Sequence, residues 1–167
     1  HTEVLRAVKE PLVVVTAMGT IAKDAMLHSS KVCPGMDIVA TKWVGLEGTA
    51  ILATEKEALL RERLAQPFLD KAKQFQQTMS IIPEAAVAVK SGASAMHDVS
   101  EGGIFGALWE LAESAGVGLE IDLKKIPIRQ ETIEICEFFD VNPYKLLSGG
   151  CLLIATEDGN GLVMELE

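Results

Sequence analysis

The sequence predicts an α/β (α+β) domain: one β-sheet with α-helices packed on it. Three observations carry that expectation. Short, β-branched, strand-sized runs alternate with longer stretches of helical periodicity. The chain of 167 residues is 49% hydrophobic, enough for one core without disulfides. No internal repeat or long polar linker divides it.

The elements follow in order. Pro11-Leu12-Val13-Val14-Val15-Thr16-Ala17 is almost wholly apolar and predicts a strand buried on both faces. Pro34-Gly35 signals a turn before a second strand, Asp37–Thr41. A helical pattern runs from Leu46 to about Leu64, rich in Ala, Leu, Glu and Arg. Phe68, Leu69, Ala72, Phe75 and Met79 share one face of a helix over Pro67–Met79, with Pro67 in its first turn. A further helix over Pro83–Lys90 ends at Gly92. Ser94–Val99 is strand-like, and Ser100 is placed to cap a helix that buries Ile104, Leu108 and Leu111 and closes at Gly116. Gly118–Leu123 alternates as a half-buried strand, Glu131–Phe139 as a helix, and Asn142-Pro143 begins a short helical turn. Cys151–Thr156 is the last strand, followed by a helix from Asn160.

Composition narrows the function. Fifteen Lys+Arg against 24 Asp+Glu give a net charge of −9, which argues against a nucleic-acid partner. No apolar run approaches the roughly 18 residues of a membrane span. Cys33, Cys136 and Cys151 stand far apart with no CxxC spacing, so a reducing, cytoplasmic setting is expected. No P-loop, GxGxxG, HExxH or GxSxG pattern occurs.

The densest candidate segment is His97-Asp98-Val99-Ser100-Glu101-Gly102-Gly103, a strand turning directly into a helix. Such a helix start offers backbone donors and a partial positive charge to a phosphate or carboxylate. Asp98 beside it would suit Mg²⁺, since hard cations take carboxylate and phosphate oxygens together. The plainer alternative is a serine cap followed by glycines that let the helix lie close on the sheet. Ser148-Gly149-Gly150 is either a second anion cradle or a tight turn at the strand start. In Thr41–Thr49, Lys42 would meet a phosphate and Glu47 would serve as metal ligand or base, unless both are simply solvated. His28, with Asp24 near it, is read as a surface group. His97 should face away from Asp98 across the strand, so the two are not an acid–base pair. Cys33 has no base beside it in sequence.

These segments together resemble the C-terminal domain of the aminoimidazole ribonucleotide (AIR) synthetase superfamily, nearest to its synthetase-related and hydrogenase-maturation-like branches. The matching residues are Met96–Gly103, Ala107–Ala112, Gly116–Gly118, Ile126-Pro127, Asn142-Pro143, Ser148–Gly150, Pro34–Asp37 and Lys42–Thr49. Leu46-Glu47-Gly48 departs from the Asp-His-Gly of the hydrogenase-maturation branch. The resemblance implies a mixed sheet flanked by helices, with residues 1–10 as an inter-domain junction and 11–167 as a single domain. It further implies a separate N-terminal ATP-binding domain and a last strand beyond Glu167. ATP and Mg²⁺ are then expected in the intact protein, with none intrinsic to this piece, and the intact protein is expected to be a homodimer. Asp98, Ser100, Gly102 and Gly103 would face substrate or phosphate across an inter-domain cleft, with Ser148, Gly149 and Gly150 as a further lining. The implied activity is ATP-dependent phosphoryl transfer or activation of a small-molecule substrate. The alternative is a non-catalytic domain that binds a nucleotide or phosphorylated metabolite.

Overall fold

The computed structural model describes Lys9 and residues 13–167. Its elements are β1 (Asp37–Ala40), α1 (Leu46–Glu55), α2 (Glu57–Leu60), α3 (Gln66–Gln74), α4 (Ile82–Lys90), β2 (Ala95–Val99), α5 (Gly103–Ala115), α6 (Gln130–Phe138), β3 (Cys151–Thr156) and α7 (Gly159–Leu166). Helices flank a small sheet, as the alternation of patterns predicts. The sheet order is β1-β3-β2, and both pairings are antiparallel, where a mixed sheet was expected. The parallel contact is a single bridge between Val44 and Ile128, outside the strands.

β3 is buried along all six residues because it has a neighbour on each edge and helices on each face. Cys151 and Leu153 point toward α5, where they meet Val99, Ile104, Ala107 and Leu108. Leu152 and Ile154 point the other way, onto Ala88 of α4 and Leu162 of α7. A third cluster, Ala53, Leu60, Leu69, Ala72 and Ile135, joins α1, α2, α3 and α6 into a helical layer.

Several sequence expectations need correction. Pro11 and Leu12 lie outside the described residues, and 13–17 form no strand: Val13, Val14 and Val15 are 80%, 80% and 85% exposed. A β-branched run favours extended backbone, but a strand needs an edge to pair with. Gly118–Leu123 likewise forms no strand: 118–122 join no ladder, and Leu123 begins a 3-10 turn, Leu123–Lys125. An open cleft of about 910 Å³ separates this segment from the free edge of β1. The helical stretch from Leu46 breaks at Lys56, whose φ of −113° and ψ of 19° leave the helical region. The stretch from Pro67 tightens into a 3-10 turn at Phe75–Thr78. Ser100 is not the cap of α5. That place belongs to Gly102, in the left-handed region at φ 79°, and no side chain caps the helix.

Gly103 also has positive φ, 62°, and an added Cβ would stand 2.5 Å from the Tyr144 carbonyl oxygen and 2.7 Å from that of Leu146. Gly103→Ala is therefore expected to destabilise the fold by about 2–4 kcal/mol, from backbone strain plus overpacking. Chemical denaturation measures it, and a loss below about 0.5 kcal/mol would refute the close approach.

Candidate functional site

The sheet register decides which connections meet. Ala40 pairs with Leu153, and Val99 pairs with Cys151. The outgoing ends of β1 and β2 therefore both lie beside the incoming end of β3. Three segments singled out in the sequence, Thr41–Thr49, Asp98–Gly103 and Ser148–Gly150, are brought to this one end. Thr41 ties the junction twice: its N–H donates to the Leu152 carbonyl at 2.9 Å, and its Oγ1 accepts the Leu152 N–H at 3.0 Å.

Within this cluster, most polar groups are engaged internally. Ser148 is fully buried, and its Oγ accepts the Gly45 N–H at 2.6 Å. The Gly149 N–H donates to Glu47 Oε2 at 3.1 Å, so the glycine turn cradles an anion belonging to the protein itself. Gly150 is buried against the Thr78 carbonyl and Met79. Ser148 is thus buried away from solvent, and one oxygen of the half-buried Glu47 is engaged by the Gly149 amide. Lys42 adopts a left-handed φ of 54°, a strained position for a residue with a Cβ. Its Nζ donates to the Ser80 carbonyl at 2.6 Å and pairs with Glu84 Oε1 at 3.0 Å, both side chains being mostly buried (17% and 19% exposed). The other oxygen of that carboxylate, Glu84 Oε2, is buried without a partner. Lys42 is directed inward and not toward an external phosphate.

His97 and Asp98 diverge, as alternation along β2 requires. His97 Nε2 lies 3.2 Å from Glu110 Oε2 on α5, and its Nδ1 lies 2.6 Å from the Asp98 carbonyl. Asp98 is exposed, and among the described residues its carboxylate has no hydrogen bond or ion pair. The carbonyl of Ser100 accepts the Gly103 N–H at 3.1 Å, closing the turn, while its hydroxyl finds no partner among the described residues. Gly102 is exposed, but Gly103 and Ile104 are buried. The Tyr144 and Leu146 carbonyls pack against the Cα side of Gly103, and the exposed part of this turn is the loop at Asp98, Glu101 and Gly102.

Among the described residues no three His, Cys, Asp or Glu side chains gather in a metal-binding group. One exposed carboxylate, Asp98, fits Mg²⁺ only in the manner usual for phosphate-bound magnesium, as one protein ligand among phosphate oxygens and water. The remaining candidates lie elsewhere. His28 Nδ1 accepts the Ser30 N–H at 3.2 Å and caps a 3-10 turn. Cys33 is exposed and free, with no base against it among the described residues.

Two features of this end were not read from the sequence. Phe105 and Tyr144 stack with ring centroids 5.0 Å apart, and the Arg129 guanidinium lies 3.9 Å from the Trp43 ring centroid. Nothing in local spacing pairs residues so distant in the chain.

Residues 34–165 match the sequence profile described as AIR synthase related protein, C-terminal domain. The chain belongs to that family. The AIR synthase related domain is 27% identical over 142 residues to carbamoyl dehydratase HypE of Rhodobacter capsulatus, covering 85% of this chain and 39% of that protein. The fold matches Escherichia coli HypE with a TM-score of 0.71 at 20% identity, over 89% of this chain and 44% of the other. It also matches thiamine monophosphate kinase of Aquifex aeolicus, in a structure complexed with AMPPCP and TMP, with a TM-score of 0.56 at 24% identity over 77% of this chain and 41% of the other. The domain spans about two fifths of the length of these relatives. Among the described residues no helix is long and apolar enough to cross a membrane.

Two outcomes follow for the AIR synthase related domain. Ser148→Ala strands the buried Gly45 N–H and is expected to cost about 1–3 kcal/mol in chemical denaturation. Burial pushes the Cys136 thiol up to about 11 and the Cys151 thiol up to about 12, the latter despite the opposing charge of Lys42. Since the thiolate is the nucleophile, iodoacetamide at pH 8 is expected to modify Cys33 and spare Cys136 and Cys151 until denaturant is added. Peptide mapping by mass spectrometry reads this directly.

Proposed function

We propose that this chain is the C-terminal domain of an ATP-dependent enzyme that transfers a phosphoryl group to a small substrate or activates it with one. In this reading the end of the sheet carrying Asp98–Gly102 is the substrate side of a cleft whose ATP-binding side lies in a separate N-terminal domain. One observation carries the proposal: three connections from different parts of the chain converge there, and Asp98 and the Ser100 hydroxyl are left without internal partners. Polar groups left unengaged where loops converge are the ones available to a ligand. The relatives support the nucleotide half of the reading, since a solved HypE is in complex with ATP and the A. aeolicus kinase holds AMPPCP and TMP.

The chemical roles divide by what each group is free to do. The exposed Asp98 carboxylate would contribute one ligand to Mg²⁺, which when bound neutralises phosphate charge. Ser100 Oγ and the Gly102 backbone would hold a substrate or phosphate oxygen in place, because phosphoryl transfer depends chiefly on positioning and electrostatics. Gly103, Ser148, Gly149 and Gly150 form the frame behind that loop. Lys42 and Glu47 brace it, and His97 ties β2 to α5. A homodimeric, cytoplasmic enzyme is the specific form we favour, and Leu46-Glu47-Gly48 in place of Asp-His-Gly counts against giving it the chemistry of the hydrogenase-maturation branch.

A second reading has its own observation in favour. The basic and acidic side chains of the loop cluster are largely neutralised against one another, Lys42 by Glu84 and His97 by Glu110, while Glu47 takes the Gly149 amide. A domain that binds a nucleotide or phosphorylated metabolite without turning it over has the same geometry. Asp98→Ala in the full-length protein separates the two. Catalysis requires ATP turnover with millimolar Mg²⁺ to fall by about 10²-fold or more while the melting temperature holds, a loss of the size expected for a transition-state contact. Unchanged turnover removes Asp98 from the chemistry, and a full-length protein that binds ATP without turnover favours the second reading.

A further inference from the structure

We propose that Arg129, stacked on Trp43, forms a phosphate-binding subsite at this end of the sheet. The inference deepens the functional reading above and rests on its placement of the ligand there.

The guanidinium carbon lies 3.9 Å from the centroid of the indole ring, a close cation–π contact. A contact of this kind is made by charge over the ring and does not use up the guanidinium's N–H donors in hydrogen bonds to other groups, so they stay available to phosphate oxygens, which engage them in pairs. Among the described residues Arg129 has no carboxylate partner and no side-chain hydrogen bond, in a chain with 24 acidic residues. The cation of the 41–49 connection, Lys42, is spent on Glu84 and the Ser80 carbonyl. Arg129 is thus a basic group at this junction with donors to offer, and unlike the exposed Lys145 it is held over an aromatic ring.

Both partners of the stack are held by backbone. The Val44 N–H donates to the Pro127 carbonyl at 2.9 Å, and Val44 bridges Ile128, so Trp43 and Arg129 extend from a fixed point. Arg129 is extended, at φ −80° and ψ 149°, immediately before α6. Thr132 in the first turn of α6 hydrogen-bonds Thr49 at 2.9 Å and abuts Gly45, whose N–H reaches Ser148. The stack therefore belongs to the same cluster as Ser148–Gly150. Less rotamer freedom is lost when such a supported guanidinium takes a ligand than when a free surface arginine does.

The test uses the full-length protein labelled with 5-fluorotryptophan. Trp43 is assigned in the fluorine NMR spectrum by its loss in Trp43→Phe. Inorganic phosphate is titrated at constant ionic strength, with chloride as the matched control. The expected result is a saturable movement of the Trp43 resonance that chloride does not produce. Arg129→Gln abolishes it, and Arg129→Lys, which keeps the charge but not the fork, weakens the affinity about tenfold or more. A resonance that phosphate does not move, or moves equally in the Arg129→Gln and Arg129→Lys proteins, overturns the subsite and leaves the stack as packing. If Arg129→Gln fails to fold, the Arg129→Lys comparison decides alone. Phosphate binding is read without ATP turnover, so a responding Trp43 in a protein that binds no ATP upholds the subsite and overturns the ATP reading. A silent Trp43 in a protein that turns over ATP does the reverse.

Discussion

The register of β3 is the constraint from which the rest follows. Paired on both edges and covered on both faces, the strand has no position at which a one-residue slip would be tolerated. A slip would turn Cys151 and Leu153 away from α5, and Leu152 and Ile154 away from α4 and α7. Because β1 and β2 both run against this strand, their outgoing ends are fixed beside its start. The segment leading into β3, Pro143–Gly150, is then pressed against three glycines. An added Cβ at Gly45, Gly48 or Gly103 would lie within 2.7 Å of Thr132, Leu146 or Tyr144 atoms. Convergence of the loops is thus a matter of backbone packing, set before any polar contact is considered.

Polar groups within the cluster divide sharply into those the protein uses and those it leaves. Glu47 takes the Gly149 amide, Ser148 the Gly45 amide, Lys42 is bound by Glu84 and Ser80, and His97 by Glu110. Except for His97–Glu110, which ties β2 to the helix that follows it, these contacts join elements far apart in the chain and answer groups at least partly buried. Glu84 Oε2, buried and unpartnered, marks where that accounting is incomplete. A net charge of −9 does not prevent anion recognition, because recognition depends on a few oriented donors and not on the mean field of the chain.

Much of the fold was legible because the relevant signals are local. Cys151–Thr156 is a continuous apolar run set off by Gly149-Gly150 before and charged residues after, and the strand occupies those six residues. The helices over Pro83–Lys90 and Glu131–Phe139 follow their apolar spacing to within a residue. What failed was non-local. Val13–Val15 and Gly118–Leu123 have the composition of strands, but pairing depends on whether an edge is within reach. The site was legible as a set of segments, not as a set of roles. Lys42 meets Glu84, Gly45 meets Ser148 and Arg129 meets Trp43 only after folding.

The glycine pair at 102–103 shows how much a motif of this kind owes to backbone geometry. A serine followed by glycines at a helix start suggests bare amides awaiting an anion, yet both glycines have positive φ and serve geometry first. Gly102 turns the chain into α5, and Gly103 admits the Tyr144 and Leu146 carbonyls at a distance no other residue would allow. Those oxygens lie against the Cα side of Gly103, and among the described residues no amide of α5 donates to them. Beside the helix start, this end of the sheet also carries side chains without internal partners among the described residues. The exposed Asp98, the unpartnered Ser100 hydroxyl and the Trp43-supported Arg129 are the groups so placed. Specificity built from side chains changes with single substitutions while the frame persists, which is the arrangement by which one fold can accommodate different substrates.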